Sequence, residues 1–217
     1  MSANTTTSLA LDTNELRRLS ELPAAPALQR AASFLAHLVK NPTFLQAEIL
    51  PLLEEARGTE EDWYVARCYE SENHSSTLQI FVWPPSTGTK IHDHSSWGVY
   101  CCVLGSVFEE RYERLDDGSR PDHARLKKIW QLLWSSEDGV SSVLPDDGGI
   151  HRVGNPGNEV AISVHLYGPR TREVDGRDYD LFRDYVCDRR EDWRGYEWPG
   201  SIDDADDRVT PQGEDLS

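Results

Sequence analysis

From residue 63 the chain breaks into short runs rich in β-branched and aromatic residues, at 63–70, 76–83, 97–104, 107–115, 125–134, 140–145, 150–153 and 159–167. Turn signals such as WPPSTG, DDGS, PDDGG and GNPGN separate them. Parallel strands need long crossover segments, and no segment between these runs has the length or 3.6-residue periodicity of a crossover helix. An antiparallel β architecture is what remains. Its unpaired edges must be covered or closed, so the spacing predicts a sandwich or barrel over residues 59–170.

The segments on either side read differently. Residues 1–13 are polar and Thr/Ser-rich and are expected to be flexible. Residues 14–58 are expected to form a helical cap: Asn14 can cap ELRRLSEL, Pro23 to Pro26 break that helix, and Leu28, Ala31, Leu35, Leu38 and Val39 recur at helical spacing before Asn41-Pro42. Thr43 to Glu55 continues the pattern, with Pro51 placed to kink or split it. After Pro169, Asp178 to Arg189 reads as a short C-terminal helix within an extension, 171–200, that packs on the barrel. Residues 201–217 hold six acids and one base among few apolar residues, so a disordered tail is expected.

Charge and cysteines narrow the function. With 38 acids against 22 bases the net charge is -16, which repels nucleic-acid backbones and anionic membranes alike. Neither is expected as a partner. No window approaches a spanning length of apolar residues, and residues 1–20 lack the pattern of a secretory signal, so the expected location is the cytoplasm. Cys68, Cys101, Cys102 and Cys187 include no CxxC pair, which argues for reduced structural thiols over a disulfide framework or a thiolate zinc site.

The chemistry centres on Ile91-His92-Asp93-His94. Residues two apart on a strand share a face, so His92 and His94 offer two imidazoles side by side, a pair of cis metal ligands. Such a pair recurs by chance, and its neighbours give it meaning. Gly88 precedes it, Gly105 follows it, and downstream lies Pro145-Asp146-Asp147-Gly148-Gly149-Ile150-His151-Arg152-Val153-Gly154-Asn155. This frame resembles the two motifs of the cupin superfamily, in which a double-stranded β-helix (a jelly-roll barrel) points the two histidines and a third from another strand into its interior. Counting back from Gly105, the slot for the glutamate ligand usual in the first motif is Gly98. Three neutral imidazoles without a carboxylate suit iron, nickel, copper or zinc, so residue types alone leave the metal open.

A second constellation is Ser163-Val164-His165-Leu166-Tyr167. Alternation puts Ser163, His165 and Tyr167 on one face, where hydroxyl, imidazole and phenol can form a hydrogen-bonded relay. Together with the HxH pair, the missing glutamate, the downstream histidine and Gly168-Pro169, this is similar to the thiol dioxygenases of the cysteine dioxygenase family over roughly residues 63 to 170. The resemblance implies ferrous iron held by His92, His94 and His151, with Ser163, His165 and Tyr167 as the relay beside it. It also implies that a small thiol and O2 are turned into a sulfinic acid. Animal members crosslink a cysteine in the glutamate slot to the relay tyrosine; with Gly98 there, Tyr167 is expected to be uncrosslinked.

Members that take amino-acid thiols carry an arginine upstream to grip the substrate carboxylate. Arg67 fits that place approximately and leans the reading towards cysteine. Other thiols stay open, among them 3-mercaptopropionate, mercaptosuccinate and a thiol-imidazole. So do a zinc or nickel cupin catalysing isomerisation or hydrolysis, and a metal-bearing cupin that only binds a small ligand. Trp83 and Trp97 bracket the HxH strand as candidate walls of a dry pocket, while His37, His74 and His123 receive no role. A monomer and a homodimer are both compatible with the sequence.

Overall fold

The computed structural model describes residues 13–56 and 62–188; the acidic 201–217 segment and the polar N-terminus before Thr13 lie outside them. Four helices come first: α1 (Thr13–Ser20), α2 (Ala24–Leu38), α3 (Pro42–Phe44) and α4 (Leu50–Glu55). Helix α1 begins at Thr13, one residue ahead of the expected cap Asn14, and Pro23 sits at the N-cap of α2. Pro51 perturbs the next helical segment, which stays helical from Pro42 to Glu55 but changes its hydrogen-bond pattern ahead of the proline. Its missing N–H cannot continue the ladder, and Leu45–Ile49 just before it form a π-helical turn between α3 and α4.

Eleven strands follow among the described residues: β1 (Tyr64–Glu70), β2 (Thr77–Trp83), β3 (Ile91–His92), β4 (Gly98–Leu104), β5 (Ser106–Arg114), β6 (Leu126–Ser135), β7 (Ser141–Val143), β8 (His151–Gly154), β9 (Ala161–Tyr167), β10 (Arg177–Asp180) and β11 (Tyr185–Asp188). They make a five-stranded sheet in the order β1–β2–β9–β4–β7 and a six-stranded sheet in the order β11–β10–β3–β8–β5–β6. The pairings are antiparallel throughout, as the turn-rich spacing predicts. The fold is mainly β, two antiparallel sheets packed on each other, with a helical N-terminal part.

The five-stranded sheet is buried on both faces. On one, Leu78, Ile80, Val82, Val99, Ile162, Val164 and Leu166 form a single core with Leu16, Leu19, Ala27, Ala31, Leu35, Phe44 and Leu52 of the helices. On the other, Phe81, Trp83, Cys102 and Ala161 meet Val107, Trp134 and Val153 of the six-stranded sheet. Alternation in β9 therefore sorts residues between two interiors, with Ile162, Val164 and Leu166 towards the helices and Ser163, His165 and Tyr167 towards the second sheet. Cys101 and Cys102 divide the same way; both are buried thiols, pushed up to about 12 and about 11 chiefly by that burial, and none of the four cysteines forms a disulfide.

The expected helix at Asp178 to Arg189 is not formed. Residues 177–188 make the hairpin β10–β11, in which Tyr179 pairs with Val186 and Asp178 with Cys187. Strand β10 also pairs with the two-residue strand β3. The spacing of Tyr179, Phe182 and Val186 suits a helix, but β3 would otherwise leave a short unpaired sheet edge. Pairing satisfies that edge and buries Tyr179 and Val186 to 6% and 3% exposure. Asp180 closes the turn by accepting the N–H groups of Phe182 and Arg183.

The helix-facing core and the outer edge should respond differently to truncation. Leu35→Ala removes a fully buried side chain of α2 and should lower stability by about 2–5 kcal/mol in urea unfolding. Leu133→Thr, on the exposed edge strand β6, should stay within about 0.5 kcal/mol of the parent.

Candidate metal centre

Strand β3 delivers His92, the residues after it deliver His94, and β8 delivers His151 opposite His92 in the register. All three are buried, and their ligand atoms lie within 4.8 Å of one another. His94 Nε2 is 3.2 Å from His92 Nε2 and 3.3 Å from His151 Nε2.

The surrounding groups set the tautomers. His92 Nδ1 lies 2.9 Å from the Lys90 carbonyl oxygen, an acceptor only, so the ring proton belongs on Nδ1. His151 Nδ1 faces the Glu109 carboxylate at 3.3 Å and the Tyr100 hydroxyl at 3.1 Å. Both rings are thus left with an Nε2 lone pair aimed at His94. His94 Nε2 can donate to only one of them, so a dry interior leaves at least one lone pair unsatisfied, and a cation among the three nitrogens satisfies them all. The donor set fits a divalent metal ion.

Glu109 is the partner that sequence reading missed. It is fully buried, and burial alone would raise its pKa. The hydrogen bond from His151, the Arg111 charge and the Tyr100 hydrogen bond instead bring it down to about 2, so it stays a carboxylate. Ser141 Oγ donates to its Oε2 at 3.0 Å, Arg111 Nε to its Oε1 at 2.9 Å, and the Tyr100 hydroxyl also donates to it. Burial, and then the Glu109 charge, push the Tyr100 phenol well above its ordinary range. The available signal was an acid in β5 on the same strand face as the apolar Val107, where alternation points inward.

The relay residues line up as the strand period requires. Trp83 Nε1, which can only donate, gives its proton to Ser163 Oγ at 2.8 Å. Ser163 Oγ is 2.7 Å from His165 Nε2, and His165 Nδ1 is 3.0 Å from the Tyr167 hydroxyl. A neutral His165 carries one ring proton, so it donates to one of the two hydroxyls that flank it and accepts from the other. Burial holds the His165 pKa down at about 3, which keeps the ring neutral. Phe81 and Tyr100 sandwich that ring at centroid distances of 4.4 and 5.0 Å. Tyr167 in turn lies against His94, with ring centroids 4.9 Å apart, which brings relay and triad together.

Gly98 has a steric counterpart. A Cβ built there would lie 3.0 Å from Tyr167 Cε1 and 3.1 Å from Val143 Cγ2. The tyrosine ring thus takes up the room that a side chain in the glutamate slot would need.

Two expectations are corrected. Arg67 does not reach the histidines: it pairs with Ile80, which pairs with Val164, and both of those side chains belong to the helix-facing core. Its guanidinium lies 2.9 Å from Glu55 Oε1 of α4 and bonds the Ala66 carbonyl. An irregularity between Val65 and Arg67 shifts the alternation by one residue, and it is Cys68 that shares the row of Gln79 and His165. Trp97 also sits with the helix-facing core and against Gly168, so of the two bracketing tryptophans only Trp83 lines the barrel interior.

The region that builds this centre is similar to known proteins. The cysteine dioxygenase type I family model matches residues 61–180. Over 136 residues the chain is 32% identical to a probable 2-aminoethanethiol dioxygenase of Dictyostelium discoideum, a match that spans 54% of this chain and 62% of that protein. Among solved structures, the TT1209 protein from Thermus thermophilus aligns over 57% of this chain and 98% of its own, at 22% identity and a TM-score of 0.40. A Cupin 2 conserved barrel domain protein from Salinispora arenicola aligns over 49% and 73%, at 16% identity and a TM-score of 0.33. The family match covers more than half of the 217 residues and contains the histidine triad and the relay, and the chain belongs to the cysteine dioxygenase type I family.

Proposed function

We infer that the chain is a non-haem iron(II) thiol dioxygenase, converting a small thiol and O2 to the sulfinic acid, RSH + O2 → RSO2H. The observation that carries this reading is the placement of a neutral, hydrogen-bonded Ser163–His165–Tyr167 relay against a triad of buried imidazoles. His92, His94 and His151 would hold the ion. Bound iron would supply the one-electron chemistry that lets O2 react with a thiolate.

The protein's own part is position and proton management. Glu109 and the Lys90 carbonyl fix two of the ligand rings. Tyr167 Oη lies 3.0 Å from His165 Nδ1, and with the ring proton on Nδ1 the phenol would offer its own proton to the reacting sulfur or oxygen, in an interior walled by Phe81 and Trp83. The glutamate slot of the first motif is Gly98 here and the Tyr167 ring fills it, which leaves three imidazoles and no carboxylate as the ligand set.

The substrate proposal moves with Arg67. With that guanidinium on the far side of the sheet, cysteine loses the carboxylate grip that favoured it. Thr77 and Gln79, the polar β2 residues in the rows of Tyr167 and His165, are neutral. An aminothiol whose carboxylate is dispensable fits this lining, and the relative named as a 2-aminoethanethiol dioxygenase points the same way. The deciding experiment is oxygen uptake by anaerobically iron-loaded protein with 2-aminoethanethiol, cysteine, 3-mercaptopropionate and mercaptosuccinate, with mass spectrometry of the products. We expect two oxygen atoms added to the thiol and a kcat/KM for 2-aminoethanethiol at least equal to that for cysteine. Iron-loaded protein that consumes no oxygen with any thiol points instead to a ligand-binding cupin.

Three variants probe the assignment. His151→Ala should abolish stoichiometric iron binding, and full iron occupancy in that protein removes the residue from the ligand set. Tyr167→Phe should keep its iron and lose on the order of a hundredfold in turnover, the usual scale of a lost proton donor. Arg67→Ala should leave KM for cysteine within about twofold while weakening only an exposed ion pair; a tenfold rise in KM would bring Arg67 back as the carboxylate clamp.

A further inference from the structure

The residue between the two HxH histidines carries a separate argument. Asp93 is fully buried, and strand alternation turns it away from His92 and His94. A carboxylate in that position must be neutralised and hydrogen-bonded, and the partners come almost entirely from one place. Arg177 N–H donates to Asp93 Oδ1 at 2.6 Å, Arg177 Nε to Oδ2 at 2.8 Å, and Arg177 Nη2 also bonds Oδ2. The Tyr179 hydroxyl donates to Oδ2 at 2.8 Å, and Arg172 Nη2 stands 3.8 Å from Oδ1. The Asp93 N–H returns a bond to the Arg177 carbonyl at 3.0 Å.

The same two arginines hold the other half of the triad. Arg177 Nη2 lies 2.6 Å from Asp147 Oδ1, and Arg172 Nη2 lies 2.8 Å from Asp146 Oδ1. Asp146 and Asp147 open the tight turn that leads directly into His151, and the Asp146 N–H bonds the His94 carbonyl at 2.8 Å. Segment 171–177 thus runs beside the histidine loop: Thr171 bonds the Ser95 carbonyl through both N–H and hydroxyl at 2.7 Å. Gly176, at φ +88, approaches so closely that a Cβ would fall 2.1 Å from the Asp93 carbonyl oxygen. One guanidinium therefore bridges the carboxylate between His92 and His94 and a carboxylate at the entry to His151.

We propose that Arg177, seconded by Arg172, is a positioning residue for the metal: it clamps the two histidine-bearing segments together from outside the barrel and so sets the separation of the three imidazoles. The inference rests on the metal-centre reading given above. Arginine suits the task because its planar fork holds two carboxylates in fixed directions, which a lysine ammonium does not. The hairpin β10–β11 then has a function beyond covering a sheet edge, since it carries the clamp.

The test is metal binding by the full-length protein, read without turnover. Wild type, Arg177→Met, Arg177→Lys and His151→Ala are titrated anaerobically with Co(II), following the visible absorption of the bound ion, with circular dichroism and melting temperature measured on the same samples. Arg177→Met should raise the Co(II) dissociation constant by about ten- to a hundredfold, the scale seen when groups that orient metal ligands are removed, and should alter the band pattern. Arg177→Lys should recover part of the affinity. A folded Arg177→Met protein with a lower melting temperature but the wild-type constant and spectrum would falsify the clamp, because stability alone would then depend on the ion pair. Should Arg177→Met fail to fold, Arg172→Met carries the decision: a raised constant supports the clamp and an unchanged one overturns it. Wild-type protein that binds neither Co(II) nor Fe(II) overturns the metal centre itself, a failure separable from that of the clamp because it occurs before any variant is made.

Discussion

Three buried imidazoles that turn their Nε2 atoms towards one another are the constraint around which this molecule is arranged. Such a cluster is costly in a dry interior unless an ion fills it, and it stays in register only if each ring is held from behind. The chain meets that demand with different chemistry at each position. A backbone carbonyl holds His92, an ionised and fully buried Glu109 holds His151, and the ring of Tyr167 lies against His94. Glu109 in turn needs Arg111, Tyr100 and Ser141 to remain charged. Much of the polar content of the interior follows from three nitrogen atoms.

The helices make this possible. A single antiparallel sheet with one face in water could not bury Leu78, Ile80, Val164 and Leu166 while directing Ser163, His165 and Tyr167 inward. Laying α1, α2 and α4 over the outer face of the five-stranded sheet gives it a second core, so its inner face is free to carry hydrogen-bonding groups instead of supplying the main apolar burial. The relay is accordingly dry, and burial is what keeps His165 neutral.

The legible parts of the sequence were those governed by local periodicity. Alternation in 159–167 sorted the β9 side chains correctly, turn residues placed the long strands to within a residue or two, and Pro51 marked a real irregularity in the helix. The HxH pair and His151 were found through their glycine frame. The errors share a cause, which is that the deciding contact lies far along the chain. One irregularity between Val65 and Arg67 turned Arg67 to the opposite face, and nothing local announces such a shift. Residues 178–188 have acceptable helical spacing, and only the unpaired edge of β3, more than eighty residues earlier, makes them a hairpin. Asp93 takes its partners Arg177 and Tyr179 from 84 and 86 residues further along the chain.

By itself the sequence determined the antiparallel β class, the two-faced division of β9 and the residue types available for a metal and a proton relay, because all of these follow from side-chain period and turn chemistry within a few residues. Only the tertiary structure decided which charged groups are buried together. A carboxylate such as Glu109 or Asp93 takes its partner from whichever strand packs against it, and strand order is set by long-range pairing and edge satisfaction, neither of which leaves a mark in the local pattern.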